Sequence, residues 1–206
     1  MNFEAFANKA LYRDFGEPLA SSYAKRSEQL QREYINQIDD KGNTTVRNHI
    51  TNHILPFVCL FYALVEGGNP SETAQHYMTK LMHQLTEKQS VSMRRMAQVP
   101  FFFPLFRRIS PLFMKKSYPI DGWDMRWNKC DREEIAFDCH RCIYMDITTQ
   151  LGCPELCTAF CENDDITYGA MAPNVIFVRT KTLADGGECC DFRLLNGKVA
   201  EKDAHK

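Results

Sequence analysis

Cys153, Cys157 and Cys161 recur at i, i+4 and i+8. On a helix that spacing stacks three thiols on one face. Thiolates attack electrophilic carbon or hold soft metals, so the stripe is where chemistry is sought first. The run Cys161-Glu-Asn-Asp164-Asp165 then sets carboxylates beside a thiol. A carboxylate three residues beyond Cys161 is a candidate general base, for that thiol or for water. Its plainer role is a turn or the cap of a following element. Arg179, in the run Val-Arg-Thr, offers a planar fork that matches a carboxylate in pairs. A structural alternative pairs it with Asp191 or Glu188 across a hairpin.

More thiols flank this segment. Cys139 and Cys142 form a CxxC, but on a regular strand such a pair points to opposite faces. Cys189 and Cys190 are adjacent, so on a strand only one faces a given side. One strand cysteine, one or two from the helix and one from the hairpin would give a thiolate set for zinc or an iron–sulfur cluster, with Cys142, Cys157, Cys161 and Cys190 as its members. The competing reading makes most of these cysteines small buried hydrophobes. His49 and His53 stand four apart, the spacing of a two-histidine metal face, with no acid between them.

The elements that must position these groups follow from pattern and punctuation. Glu17 to Ile38 reads as a charged amphipathic helix with Pro18 in its first turn. Asp39, Asp40 and Gly42 mark a turn. Asn43 or Thr44 caps a helix to about Glu66, which Pro56 should kink and Gly67 and Gly68 should end. A further helix runs from a Ser71 cap to about Lys88. Residues 90–120 carry six Lys or Arg, no acid, four prolines and five phenylalanines. They read as a helix-breaking connector, or as a basic aromatic surface for a membrane or anionic ligand. Strands are expected over Trp123–Asn128, Ile135–Ile147 and Asn174–Thr182, with a short helix over Pro154–Cys161. ADGG at 184–187 is a turn, and Cys189–Leu195 closes a hairpin. The expected fold is α+β: N-terminal helices packed on a small antiparallel sheet with a C-terminal β-hairpin. One domain spans 1–206, with a helical part to about 90, the connector at 91–120 and a cysteine-rich α+β part over 121–195.

The totals exclude some classes. A net charge of -1 gives no reason to expect nucleic acid. The apolar run Ile54–Val65 is too short to be a transmembrane segment, and the first twenty residues lack a signal-type apolar core. A cytoplasmic location is expected, in which nine cysteines would stay reduced. The pattern leaves oligomeric state open, a homo-oligomer included.

The strings LGCPELCTAFCENDD and IFVRTKTLADGGECCDF resemble the C-terminal signature of the L-2-amino-thiazoline-4-carboxylic acid hydrolase family. The matching positions are Gly152, Pro154, Glu155, Cys161, Asp164, Arg179, Thr180, Leu183, Gly186, Cys190, Asp191 and Phe192. HILPFVCLFYALVEGGNPSETA is similar to that family's second and third helices, so the likeness covers about residues 43–195. It implies a hydrolase that opens a small cyclic C–N/C–S amidine carboxylate. Arg179 and Thr180 would bind the substrate's carboxylate. Asp164 would activate water, or Cys161 would attack the ring carbon, and Cys190 or Asp191 would protonate the leaving atom. Cys153, Cys157 and Cys189 are additions to the pattern. They keep open a second function, a cysteine-ligated metal or iron–sulfur redox or sensor module.

Overall fold

The computed structural model describes residues 3–199. The chain opens with α1 (Phe3–Tyr34), whose two limbs meet at Gly16. Gly16 has φ 75° and ψ 166°, backbone that is essentially glycine-only. The expected helix from Glu17 is therefore the second limb, with Pro18 in its first turn. The first limb is equally periodic: Phe3, Phe6, Ala7, Ala10 and Leu11 are buried at i, i+3, i+4, i+7 and i+8. Gly16→Ala is expected to cost about 1–3 kcal/mol, because the new side chain cannot relax at that φ. Urea denaturation checks this, and an unchanged midpoint would show that the bend is not strained.

Asn43 caps α2 (Thr44–His49), its side-chain oxygen accepting from the Thr45 and Val46 amides at 2.9 and 3.3 Å. A widened, π-helical turn over Ile50–Ile54 leads into α3 (Leu55–Glu66). Pro56 sits in the first turn of α3, directly after the wide turn, which accommodates its missing N–H. Thr44–Glu66 as a whole is long and apolar enough to cross a membrane, yet most of its apolar stretch is buried inside the protein. It packs chiefly on α1.

α4 (Ser71–Ala97) continues well beyond the expected end at Lys88, and Ser71 lies inside it without capping it. The basic, aromatic segment is not an irregular connector but mostly a helix, α5 (Phe102–Ser117). Its prolines explain how. Pro104 falls in the first turn, where no hydrogen bond is lost. Pro111 lies inside and leaves the Arg107 carbonyl without its helical donor. The Cys130 thiol approaches that carbonyl at 3.8 Å.

Four antiparallel strands follow in the order β1-β2-β4-β3: β1 (Trp123–Cys130), β2 (Glu134–Cys142), β3 (Val175–Val178) and β4 (Cys190–Asn196). The expected strand to Ile147 stops at Cys142. From there α6 (Ile143–Gln150) buries Ile143 and Ile147 at helical spacing. α7 (Cys157–Gly169) is longer than the sequence suggests, and β3 shorter, because the chain leaves the sheet at Arg179. The helices pack on one face of this sheet. One core joins α1, α3 and α4 to Trp123, Cys139 and Cys190, and a second joins Phe103 and Met114 to Ile135, Phe137 and Leu194. Helices on a small antiparallel sheet ending in the β3–β4 hairpin form the α+β fold that the pattern implies.

Candidate functional site

A cavity of about 320 Å³ opens between the sheet and the helices. Its floor is the inner face of β1, β2 and β4, with Met125, Phe137 and Phe192. Its walls come from α4, through Leu85 and Thr86, and from α7, through Phe160 and Asp164. Most of the lining is apolar or aromatic, with a few converging polar groups, the usual make-up of a small-molecule site.

Five thiols reach it: Cys139, Cys142, Cys157, Cys161 and Cys190. Regular alternation would have sent Cys139 and Cys142 to opposite faces. The pairing of β1 with β2 jumps from Met125↔Cys139 to Asp124↔Arg141, so His140 is an extra residue on β2. This β-bulge resets the alternation and turns both CxxC thiols toward the cavity. On β4 the alternation holds, so Cys190 points inward while Cys189 lies with Asp138 and His140. Cys157 and Cys161 face the cavity from α7. Cys153 precedes the helix and is buried in the core.

Four of them, Cys139, Cys142, Cys161 and Cys190, are held as neutral thiols. Cys161 is pushed up to about 12 by its hydrogen bond with Cys157 and by burial, against an opposing contact from Cys190. Cys190 is raised further still, by its bond with Cys161 and by burial. Burial takes Cys139 up to about 12 and Cys142 well above the ordinary range. Sulfurs sharing one tetrahedral zinc lie roughly 4 Å apart, given Zn–S bonds of about 2.3 Å. Among the described residues no three of these sulfurs lie within 4.8 Å of one another. The set Cys142, Cys157, Cys161 and Cys190 therefore lines one cavity without converging on a point. The trio whose donor atoms do lie within 4.8 Å is Asp138, His140 and Cys189, which shares no residue with the cavity lining.

The polar end of the cavity is built around Arg179. Its side chain is only 4% exposed. Nη1 donates to Asp164 Oδ2 at 3.3 Å, and Nη2 donates to the Cys161 carbonyl at 2.9 Å and Asp165 Oδ2 at 2.7 Å. The group also lies 5.7 and 5.4 Å from the rings of Phe177 and Phe192. Its partners are thus acids of α7, not Asp191 or Glu188 across the hairpin, and its fork positions Asp164. The Asp164 side chain is 38% exposed and lies in the cavity lining. Burial by the surrounding walls pushes it up to about 7. The Arg179 charge pulls down and Asp165 pushes up, and neither reverses the result.

Asp191 and Thr180 do a different job. Asp191 accepts the Thr180 and Lys181 amides at 2.9 and 2.8 Å and the Thr180 hydroxyl at 2.6 Å. Burial alone would raise this carboxyl, but those bonds hold it below its ordinary value. Both side chains are occupied in pinning the loop between β3 and β4, and neither lines the cavity. His49 is likewise committed: Nε2 donates to the Ser117 carbonyl at 3.0 Å, so Nδ1 accepts the Tyr144 hydroxyl at 2.8 Å. His53 stands in the cavity wall, its pKa lowered by burial. With both ring nitrogens of His49 engaged, the pair forms no metal face.

Sequence reasoning passes over Phe3, Tyr118, Trp123 and Tyr144, which complete the aromatic lining. It also passes over the pair in which the Thr86 hydroxyl donates to Asn163 at 2.7 Å, joining α4 to α7 at the cavity. The buried periodicity of the first limb of α1 is the one available signal, for Phe3.

A model of the L-2-amino-thiazoline-4-carboxylic acid hydrolase family matches residues 47–194, most of the chain and all of the cavity's thiols. No curated protein matches. Among solved structures, the chain is similar to an Fe(II) unliganded H-NOX protein from K. algicida at 10% identity and a TM-score of 0.36, covering 95% of this chain and 96% of that one. A point mutant of that H-NOX protein is similar at 11% identity and the same TM-score, with the same coverage.

Proposed function

We infer that this chain, which belongs to the L-2-amino-thiazoline-4-carboxylic acid hydrolase family, uses its cavity to open a small cyclic amidine carboxylate with water. The observation that carries this reading is Asp164: a cavity carboxyl pushed up to about 7 and held by a buried guanidinium. A general base works best with a pKa near the operating pH, and few carboxyls have one.

The proposed reaction begins at the ring carbon between nitrogen and sulfur. Ionised Asp164 takes a proton from water as the water oxygen bonds to that carbon. The ring then opens by loss of either its C–S or its C–N bond. The leaving atom takes a proton back from Asp164, so acid and base are regenerated in one turnover. Arg179 acts as a positioning residue, aiming Asp164. The aromatic walls hold the flat ring, and Asn163 and His53 supply hydrogen-bonding groups in the same cavity.

Direct attack by water is favoured over a thioester-like intermediate because Cys161 is a neutral thiol with its pKa up at about 12. A nucleophilic cysteine needs thiolate character. Cys161→Ser is accordingly expected to keep ring-opening turnover within about threefold of the parent. The assay follows loss of L-2-amino-thiazoline-4-carboxylate. A loss on the order of a thousandfold would reinstate covalent attack by Cys161.

A further inference from the structure

α5 presents two unlike faces. Phe103, Ser110 and Met114 point inward and are buried, and Met114 reaches the cavity wall. Leu105, Ile109 and Leu112, at i, i+4 and i+7, share the opposite face and are exposed, Leu112 by 75%. Phe113 beside them is also exposed, and Phe101, at the mouth of the helix, is 78% exposed. Scattered exposed apolar residues are ordinary on a protein surface, but a contiguous stripe of large ones marks a contact surface.

The charges around the stripe identify the partner. Arg94, Arg95, Arg107, Arg108, Lys115 and Lys116 lie in a segment with no Asp or Glu between 90 and 120. Among the described residues none of the six takes part in an ion pair, although the rest of the surface is rich in them. Arg108 and Lys115 flank the stripe along one side, and Lys116 adjoins it. A second copy of this chain would bring the same positive charges face to face. An anionic lipid surface matches both features, offering headgroups to the basic flank and acyl chains to the stripe.

We propose that α5 docks this protein on anionic membrane surfaces, lying in the interface with Leu105, Ile109 and Leu112 toward the acyl chains. Phe103 and Met114 hold the inner face of the helix on the second core, with Phe102 and Phe106 packed beside them, and the opposite face stays turned outward. Because Met114 also lines the cavity, docking places the cavity near the lipid.

The test is sedimentation of the full chain with vesicles of phosphatidylcholine alone, and with a third of the lipid replaced by phosphatidylglycerol. Binding is expected with the anionic vesicles only, and it should weaken as salt is raised. The pair Lys115→Glu and Lys116→Glu, and separately the triple Leu105→Ser, Ile109→Ser and Leu112→Ser, should each weaken binding by about tenfold or more. Circular dichroism checks folding. If the triple variant unfolds, the lysine pair, changed only at exposed side chains, carries the test. Binding that ignores lipid charge, or no binding, overturns the proposal. So does a concentration-dependent dimer in solution that the serine variant abolishes, which would mean that a second copy covers the stripe.

Discussion

Asp164→Asn is expected to lower kcat/KM for thiazoline ring opening by about 10²–10⁴-fold, the usual contribution of a positioned general base. The amide keeps the shape of the carboxyl and can still meet Arg179, so a loss of that size reports proton transfer and not collapse of the cavity. The parent enzyme's kcat/KM should rise with pH on a limb near 7, where Asp164 ionises. In the Asn variant that limb should vanish from the residual activity. Stability should move the other way. The folded state holds this carboxyl above its unfolded value of about 3.8, so the folded protein prefers it protonated. That preference supports the fold fully below pH 4 and is lost as pH rises through 7. At pH 8 the Asn variant should therefore be the more stable protein. The gain is about 1–2 kcal/mol once solvent screening of a partly accessible carboxyl is allowed for, and it should close as the pH falls toward 4. Urea titrations at several pH values read this directly. An Asn variant that keeps full activity and the parent's pH limb would remove Asp164 from the chemistry.

The part of the site carried on one local element is readable without coordinates. Cys157, Cys161 and Asp164 share a helix, and helical spacing alone puts them on one side of it. That Cys190 faces inward and Cys189 does not also follows from strand alternation, once a strand is granted. What escapes is set by departures from regularity and by long-range partners. The bulge at His140 is a single extra residue on β2, and no local pattern announces it, yet it decides where Cys142 points. The family likeness offers Asp191 as the acid for the leaving atom. Only the fold of the β3–β4 loop shows three donors from Thr180 and Lys181 already on it. The prolines at 104 and 111 argue against a helix by propensity. Position overrules that tendency, since one falls in the first turn and the cost of the other is contained within a single turn. Arg179 is the right cation, but its acids come from α7, a contact that sequence separation hides.

Replacing Arg179 by Met separates its structural from its electrostatic role. The guanidinium is buried and serves three acceptors: Asp164, Asp165 and the Cys161 carbonyl. Met fills much of the space but leaves those acceptors unpaired, so a loss of about 2–4 kcal/mol in urea is expected, toward the lower end of what breaking a buried ion pair costs because both acids retain solvent. The kinetic consequence has a definite sign. Arg179 lowers the Asp164 pKa against burial. Without it the carboxyl should ionise at higher pH, and the rising limb of kcat/KM should move alkaline from its position near 7. Arg179→Lys divides the two effects. An ammonium keeps the charge but cannot reach three acceptors in fixed directions, so stability should still fall while the limb stays near 7. A limb that does not move in the Met variant would mean that the guanidinium charge is not felt at Asp164. Arg179 would then be a strut between α7 and the end of β3, and the tuning of Asp164 would rest on burial alone.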